Sequence, residues 1–154
     1  MKADPRGRTL ALRKLAAAPL PALFAGPPGS GKTQAAQDLA NTLGVQLRRV
    51  DLRQLVSPDI AETEKAIDRL FDAAQRDGVV LVFDEADALF GKRSDVRDAH
   101  DRYANTEANY LLARIEAHRG PTIVIAKSCE ALDPAVLRRL PVVIEFPAPK
   151  GPDK

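Results

Sequence analysis

Several residue types are scarce in this sequence, and each scarcity removes a class of explanation. A single cysteine, Cys129, occurs among 154 residues, so no disulfide forms within the chain and no zinc cluster can be assembled from thiolates. That fits a reducing compartment. The formal net charge is only +2, which gives no strong electrostatic case for nucleic acid as a partner. No apolar stretch approaches membrane-spanning length, and the N-terminus shows no hydrophobic signal region, so neither membrane attachment nor export is expected. The simple expectation is a cytoplasmic protein. The two histidines, His100 and His118, have no cluster of ligands around them and read as surface or helix-face residues. No internal repeat is visible. The length suffices for one domain with a sizeable core, and a hydrophobic fraction of 45% is ordinary for a globular chain.

Against this plain background one segment stands out. Residues 26–33 read Gly26-Pro27-Pro28-Gly29-Ser30-Gly31-Lys32-Thr33, a complete G-x-x-x-x-G-K-[ST] phosphate-binding loop. The apolar run Leu23-Phe24-Ala25 before it supplies a strand, and residues 33–43 after it supply a helix. Pro27 and Pro28 stiffen the start of the loop, while Gly26, Gly29 and Gly31 allow unusual dihedrals and close approach to phosphate. Backbone N–H groups from Gly29 to Thr33 are expected to point at the anion, with a helix N-terminus behind them. Lys32 is expected to reach the β- and γ-phosphates and Thr33 to hold Mg²⁺, so ATP and Mg²⁺ are the implied ligands.

A second segment agrees with the first. Residues 79–90, VVLVFDEADALF, place five apolar residues before Asp84 and Glu85, the pattern of a buried central strand ending in a Walker B pair. Asp84 is the candidate second residue of the Mg²⁺ shell, and Glu85 the candidate general base for an attacking water.

The rest of the chain alternates strand and helix patterns. Strands are predicted at about 22–25, 45–52, 79–84, 122–126 and 142–146, with helices at about 33–43, 60–76, 100–118 and from the Asp133-Pro134 cap to Pro141. A short helix is predicted within 9–18, and a polar loop at 91–98. This βαβαβαβαβ order implies an α/β three-layer sandwich with a parallel sheet. The divisions are a basic, alanine-rich segment over 1–20, a core over 21–149 and a tail over 150–154.

The motifs resemble the AAA family of P-loop ATPases, within the AAA+ class, in its large α/β subdomain. The resemblance runs from about residue 23 to 149 and rests on LFAGPPGSGKT, on ETEK at 62–65, on FDEADALFGKRS at 83–94 and on ALDPAVLRRL at 131–140. The stretch DAHDRYAN at 98–105 resembles a bacterial subgroup associated with contractile phage-tail-like systems. The resemblance implies a five-stranded sheet in the order 5-1-4-3-2, a ring hexamer with ATP between subunits, and a protein substrate or assembly as partner. It also implies an arginine finger at the end of the fourth helix, where Arg138 and Arg139 stand.

Four departures from the family pattern bear on function. The usual sensor asparagine after the fourth strand is replaced by Lys127, or by Ser128 if the alignment shifts by one. A second arginine after the fourth helix is replaced by Pro141. The first pore loop reads Pro58-Asp59-Ile60-Ala61, without an aromatic to grip a threaded chain. The family's helical lid would begin where the sequence stops, so the fold is expected without it, and the chain alone is expected to turn over slowly and not to form a stable hexamer. The function this supports is ATP binding and hydrolysis coupled to remodelling of a macromolecular partner. The alternatives are a nucleotide-dependent assembly or scaffold module with little turnover and, third, a small-molecule P-loop kinase.

Overall fold

In the computed structural model the described residues are 21–92 and 99–148, together with positions 10, 12–15 and 17. Side chains of 99–105 lie outside that description, as do residues 93–98 and 149–154. Positions 93–98 of the polar loop, the side chains of the DAHDRYAN stretch and the tail therefore fall outside the described residues.

The strands follow the apolar runs. They are β1 (Ala22–Ala25), β2 (Leu47–Asp51), β3 (Val80–Asp84), β4 (Thr122–Ala126) and β5 (Val142–Glu145). Every residue of β1, β3 and β4 is buried, as continuous apolar strands covered on both faces require. All pairings are parallel, in the order β2-β3-β4-β1-β5, which is the expected order 5-1-4-3-2.

The strand period of two divides the core. Leu23, Leu81, Phe83 and Val124 face one hydrophobic cluster, which holds Ile67, Phe71, Leu111, Leu112 and Ile115 from two long helices. Those helices are α3 (Ile60–Asp77) and α5 (Ala99–Ala117). Phe24, Val80, Val82 and Ile123 face the other cluster, with Ala35, Ala36, Leu39 and Ala40 of α1 (Lys32–Leu43). Leu15, from the segment before β1, is buried there too. Helix, sheet and helix make three layers, the expected sandwich.

Local signals end the helices where predicted. Gly44 and Gly78 take left-handed conformations after α1 and α3, with φ of 70° and 67°. Asp133 caps α6 (Pro134–Arg139) by accepting from the Ala135 amide at 2.9 Å. Asp59, in the segment where the family resemblance places a pore loop, caps α3 by accepting from the Ala61 amide at 2.9 Å. Two single-turn helices were not anticipated: α2 (Leu52–Leu55), directly after β2, and α4 (Asp87–Phe90), directly after Asp84-Glu85. His118 lies edge-on to Phe71 with ring centroids 5.3 Å apart, and the Tyr110 hydroxyl donates to Asp68 at 2.8 Å, so both residues are built into the α3–α5 contact.

Candidate nucleotide-binding cleft

Parallel pairing brings the carboxyl ends of β1, β3 and β4 to one edge of the sheet. Ala25 is level with Ala126, and Phe83 with Val124, so the chain leaves all three strands side by side. Open α/β sheets bind ligands in the crevice outside these ends. Here the crevice is a cleft of about 440 Å³ whose lining includes Pro28 to Gln34, Arg49, Asp84, Glu85, Asp87 and Lys127.

The loop folds for two separable reasons. Gly29 and Gly31 have φ of 79° and 94°, a region open to glycine but strained for other residues. Gly26 is not in that region. A Cβ there would stand 2.5 Å from the Phe146 carbonyl oxygen and 2.9 Å from Ser30 Oγ. Gly26 is thus required by packing against the end of β5, which corrects the expectation that all three glycines serve unusual dihedrals and phosphate approach. Gly31 also precedes α1 without any side-chain cap, so the first N–H groups of α1 have no side-chain acceptor.

Lys32 bends back over the loop, donating to the carbonyl oxygen of Gly26 and, at 3.2 Å, to that of Ala126. Burial pulls its pKa below the usual 10.5, and the nearby carboxylates of Asp84, Asp87 and Glu85 push in the opposite direction. Asp84 is buried at the end of β3; its carboxylate accepts from the Glu85 amide at 2.8 Å and pairs with Arg49. Glu85 has a left-handed backbone, φ 58°, the one positive φ outside glycine among the described residues. Such strain in a non-glycine residue collects at functional sites. The chain then turns into α4, held to β4 by the Ala86 amide donating to Ile125 at 3.1 Å.

Of the fourteen residues singled out from the sequence, the structure brings Pro28, Gly29, Ser30, Gly31, Lys32, Thr33, Asp84, Glu85 and Lys127 into one cleft, while Pro27 does not line it and accepts from the Ser30 amide at 3.2 Å through its carbonyl. Gly26 borders it through Lys32. Ser128 is elsewhere: its hydroxyl accepts from the Ala131 amide at 3.1 Å, and it lines a separate hollow of about 90 Å³ with Cys129 and Glu145. Arg138 and Arg139 do not line the chain's own cleft. Arg139 pairs with Glu116 at 2.6 Å, whereas Arg138 is exposed.

Sequence reasoning missed Arg49, Asp87 and Gln34. For Arg49 a signal existed. It is level with Val82 in the β2–β3 pairing, so by the two-residue period it shares a face with Asp84.

The donor set fits a magnesium–nucleotide. Ser30 Oγ and Asp87 Oδ1 are buried without a hydrogen-bond partner in the structure, and both residues line the cleft. Among the described residues three cations, Lys32, Arg49 and Lys127, face three carboxylates, Asp84, Glu85 and Asp87. A phosphate chain added to this balanced set brings excess negative charge, which a hard divalent cation on oxygen ligands such as Thr33 and Asp84 would offset.

Sheet order, phosphate loop and the carboxylates at the end of β3 define an α/β P-loop NTPase fold. The description of the ATPase family associated with various cellular activities (AAA) matches residues 22–148. Among curated proteins, an uncharacterized AAA family ATPase of Sinorhizobium fredii is 35% identical over 129 residues, covering 84% of this chain and 39% of that protein. The proteasome-activating nucleotidase of Thermococcus gammatolerans is 37% identical over 134 residues, covering 82% of this chain and 34% of that protein. Proteasome-activating nucleotidase 1 of Haloferax volcanii is 34% identical over the same length. The chain belongs to the AAA family. It spans 39% or less of the length of these relatives. No helix among the described residues is long and apolar enough to cross a membrane.

Proposed function

We propose that this chain is the nucleotide-hydrolysing core of a AAA ATPase, binding ATP with Mg²⁺ and coupling hydrolysis to the remodelling of a protein partner. The observation that carries the reading is the meeting of Lys32, Thr33, Asp84 and Glu85, drawn from two distant stretches of sequence, in one cleft.

The residues divide the work. The amides of Gly29 to Thr33 surround the phosphates, and Lys32 exchanges its carbonyl partners for phosphate oxygens. Thr33 and Asp84 would hold the magnesium ion, which would supply charge neutralisation for the phosphates. Glu85 orients and deprotonates the attacking water. Arg138 is exposed, lies outside the ion pair that occupies Arg139 and does not line its own cleft, which suits a finger acting on a neighbour's nucleotide in a ring. Relatives named for proteasome activation favour a protein as the partner.

The test is calorimetric titration with ADP and Mg²⁺. Lys32→Ala should weaken binding severely, and unchanged affinity would overturn the assignment. Lys127 favours a second reading, a nucleotide-dependent assembly module with little turnover. It lines the cleft and is one of the two candidates, with Ser128, for the sensor position that the family resemblance implies, and an ammonium donates hydrogen bonds but accepts none. Steady-state phosphate release measured against nucleotide affinity separates the two.

A further inference from the structure

Three arginines lie on and just after β2, and the structure treats them differently. Arg48 pairs with Asp77 at 3.0 Å, and Arg53 with Asp51 at 2.7 Å; neither lines the cleft, although Arg53 is near enough to Asp84 and Glu85 to feel their charge. Arg49 alone lines the cleft, and its guanidinium pairs with Asp84. The Arg49 side chain is 54% exposed, whereas that of Asp84 is 12% exposed. A solvated cation therefore sits on a nearly buried carboxylate. Lys32 does not serve Asp84 here, because its ammonium is taken by two carbonyl oxygens. Among the described residues Arg49 is the cation ion-paired to Asp84, while Lys32 and Arg53 are near enough to feel its charge without pairing with it.

We infer that Arg49 is a resident counter-ion that stands in for the divalent cation at Asp84 and lets the cleft accept a nucleotide without metal. This rests on the nucleotide-binding reading above. The guanidinium is always charged, so the device works across the whole physiological pH range. It acts in two directions. Without metal, Arg49 screens Asp84 from phosphate. With metal, Arg49 must yield Asp84, which lowers the gain that metal brings. Both effects shrink the difference between metal-free and metal-bound nucleotide affinity.

The experiment is calorimetric titration of the full chain with ADP, once in excess Mg²⁺ and once in EDTA, for the parent and for Arg49→Ala, Arg49→Gln and Arg49→Lys. The readout is the ratio of the metal-free to the metal-bound dissociation constant, which a general loss of stability would not move selectively. The ratio should rise about three- to tenfold in the two neutral variants, as expected for a charge-assisted bond that is partly solvent-screened. Arg49→Lys, which keeps the charge, should restore most of the parental ratio. A ratio within about twofold of the parent in both neutral variants would overturn the inference, as would Arg49→Lys behaving like Arg49→Ala. Failure of the parent to bind ADP under either condition would instead overturn the nucleotide reading itself.

Discussion

Replacing Gly26 by alanine tests the claim that packing, not backbone freedom, dictates glycine at the start of the phosphate loop. The added Cβ would lie 2.5 Å from the Phe146 carbonyl oxygen, 2.9 Å from Phe146 Cβ and 2.9 Å from Ser30 Oγ. Ordinary carbon–oxygen contacts are about 3.3 Å or longer, so the end of β5 must retreat by most of an ångström. It is not free to do so. The Phe146 amide donates to Ala25 at 2.7 Å, the Gly26 amide donates to Ala126 at 3.1 Å, and the Phe146 ring packs on Phe24 at 5.3 Å. Overpacking against backbone of this kind costs about 1–3 kcal/mol. In a chain of this size that lowers the melting temperature by about 2–12 °C. Scanning calorimetry without nucleotide is the assay, and ADP affinity should fall as well, because the loop moves with Gly26. Gly31→Ala provides the contrast: its Cβ would meet nothing within 4 Å, but φ is 94°, so its penalty is backbone strain alone. A Gly26→Ala melting temperature within about 1 °C of the parent would refute the packing argument.

Glu85→Gln should retain ADP binding and lose about 10²–10⁴-fold in hydrolysis, because an amide cannot take the water's proton; equal turnover would mean that another group is the base. Arg138→Ala should leave the melting temperature unchanged and, in an assembled ring, lower hydrolysis by about 10³–10⁵, whereas Arg139→Ala should cost up to about 1 kcal/mol of stability through its pair with Glu116. The reverse pattern, read by calorimetry and phosphate release, would exchange the two roles. Hydrogen bonding from Arg139 holds the Glu116 carboxyl below its usual 4.5 in the folded state. Its stabilisation is therefore fully present above 4.5 and lost as pH falls through the lower folded value. Glu116→Gln should flatten the acid limb of the melting profile in that window, and parallel limbs for parent and variant would contradict the pairing.

The parts that sequence disclosed are those written in short continuous stretches. The loop at 26–33 and the strand ending in Asp84-Glu85 carry their chemistry in adjacent residues, and the strands around them are uninterrupted apolar runs. The sheet order came from the family resemblance, because nothing in a parallel strand states which neighbour it pairs with. The helices α2 and α4 were missed since a single turn is too short to show a helical period, although Asp51 before α2 is a capping residue that accepts from the Arg53 amide at 2.9 Å. Arg49 escaped notice because its partner Asp84 lies 35 residues away on the next strand. Asp59 illustrates the opposite case. It stood out as a departure in a functional loop, yet the structure gives it a local task as the cap of α3.

The strand order leaves β2 and β5 each with one unpaired side in the described sheet, and the two flanks are defended differently against strand-to-strand aggregation. β2 carries Arg48 and Arg49 in sequence, and their charges oppose the docking of another strand along that flank. β5 is only four residues long and lies between Pro141 and Pro147, which cannot donate to a ladder at either end. Neutralising Arg49 thus also removes a gatekeeper, so neutral variants at this position should be handled at low concentration and checked for visible precipitation before any affinity is measured.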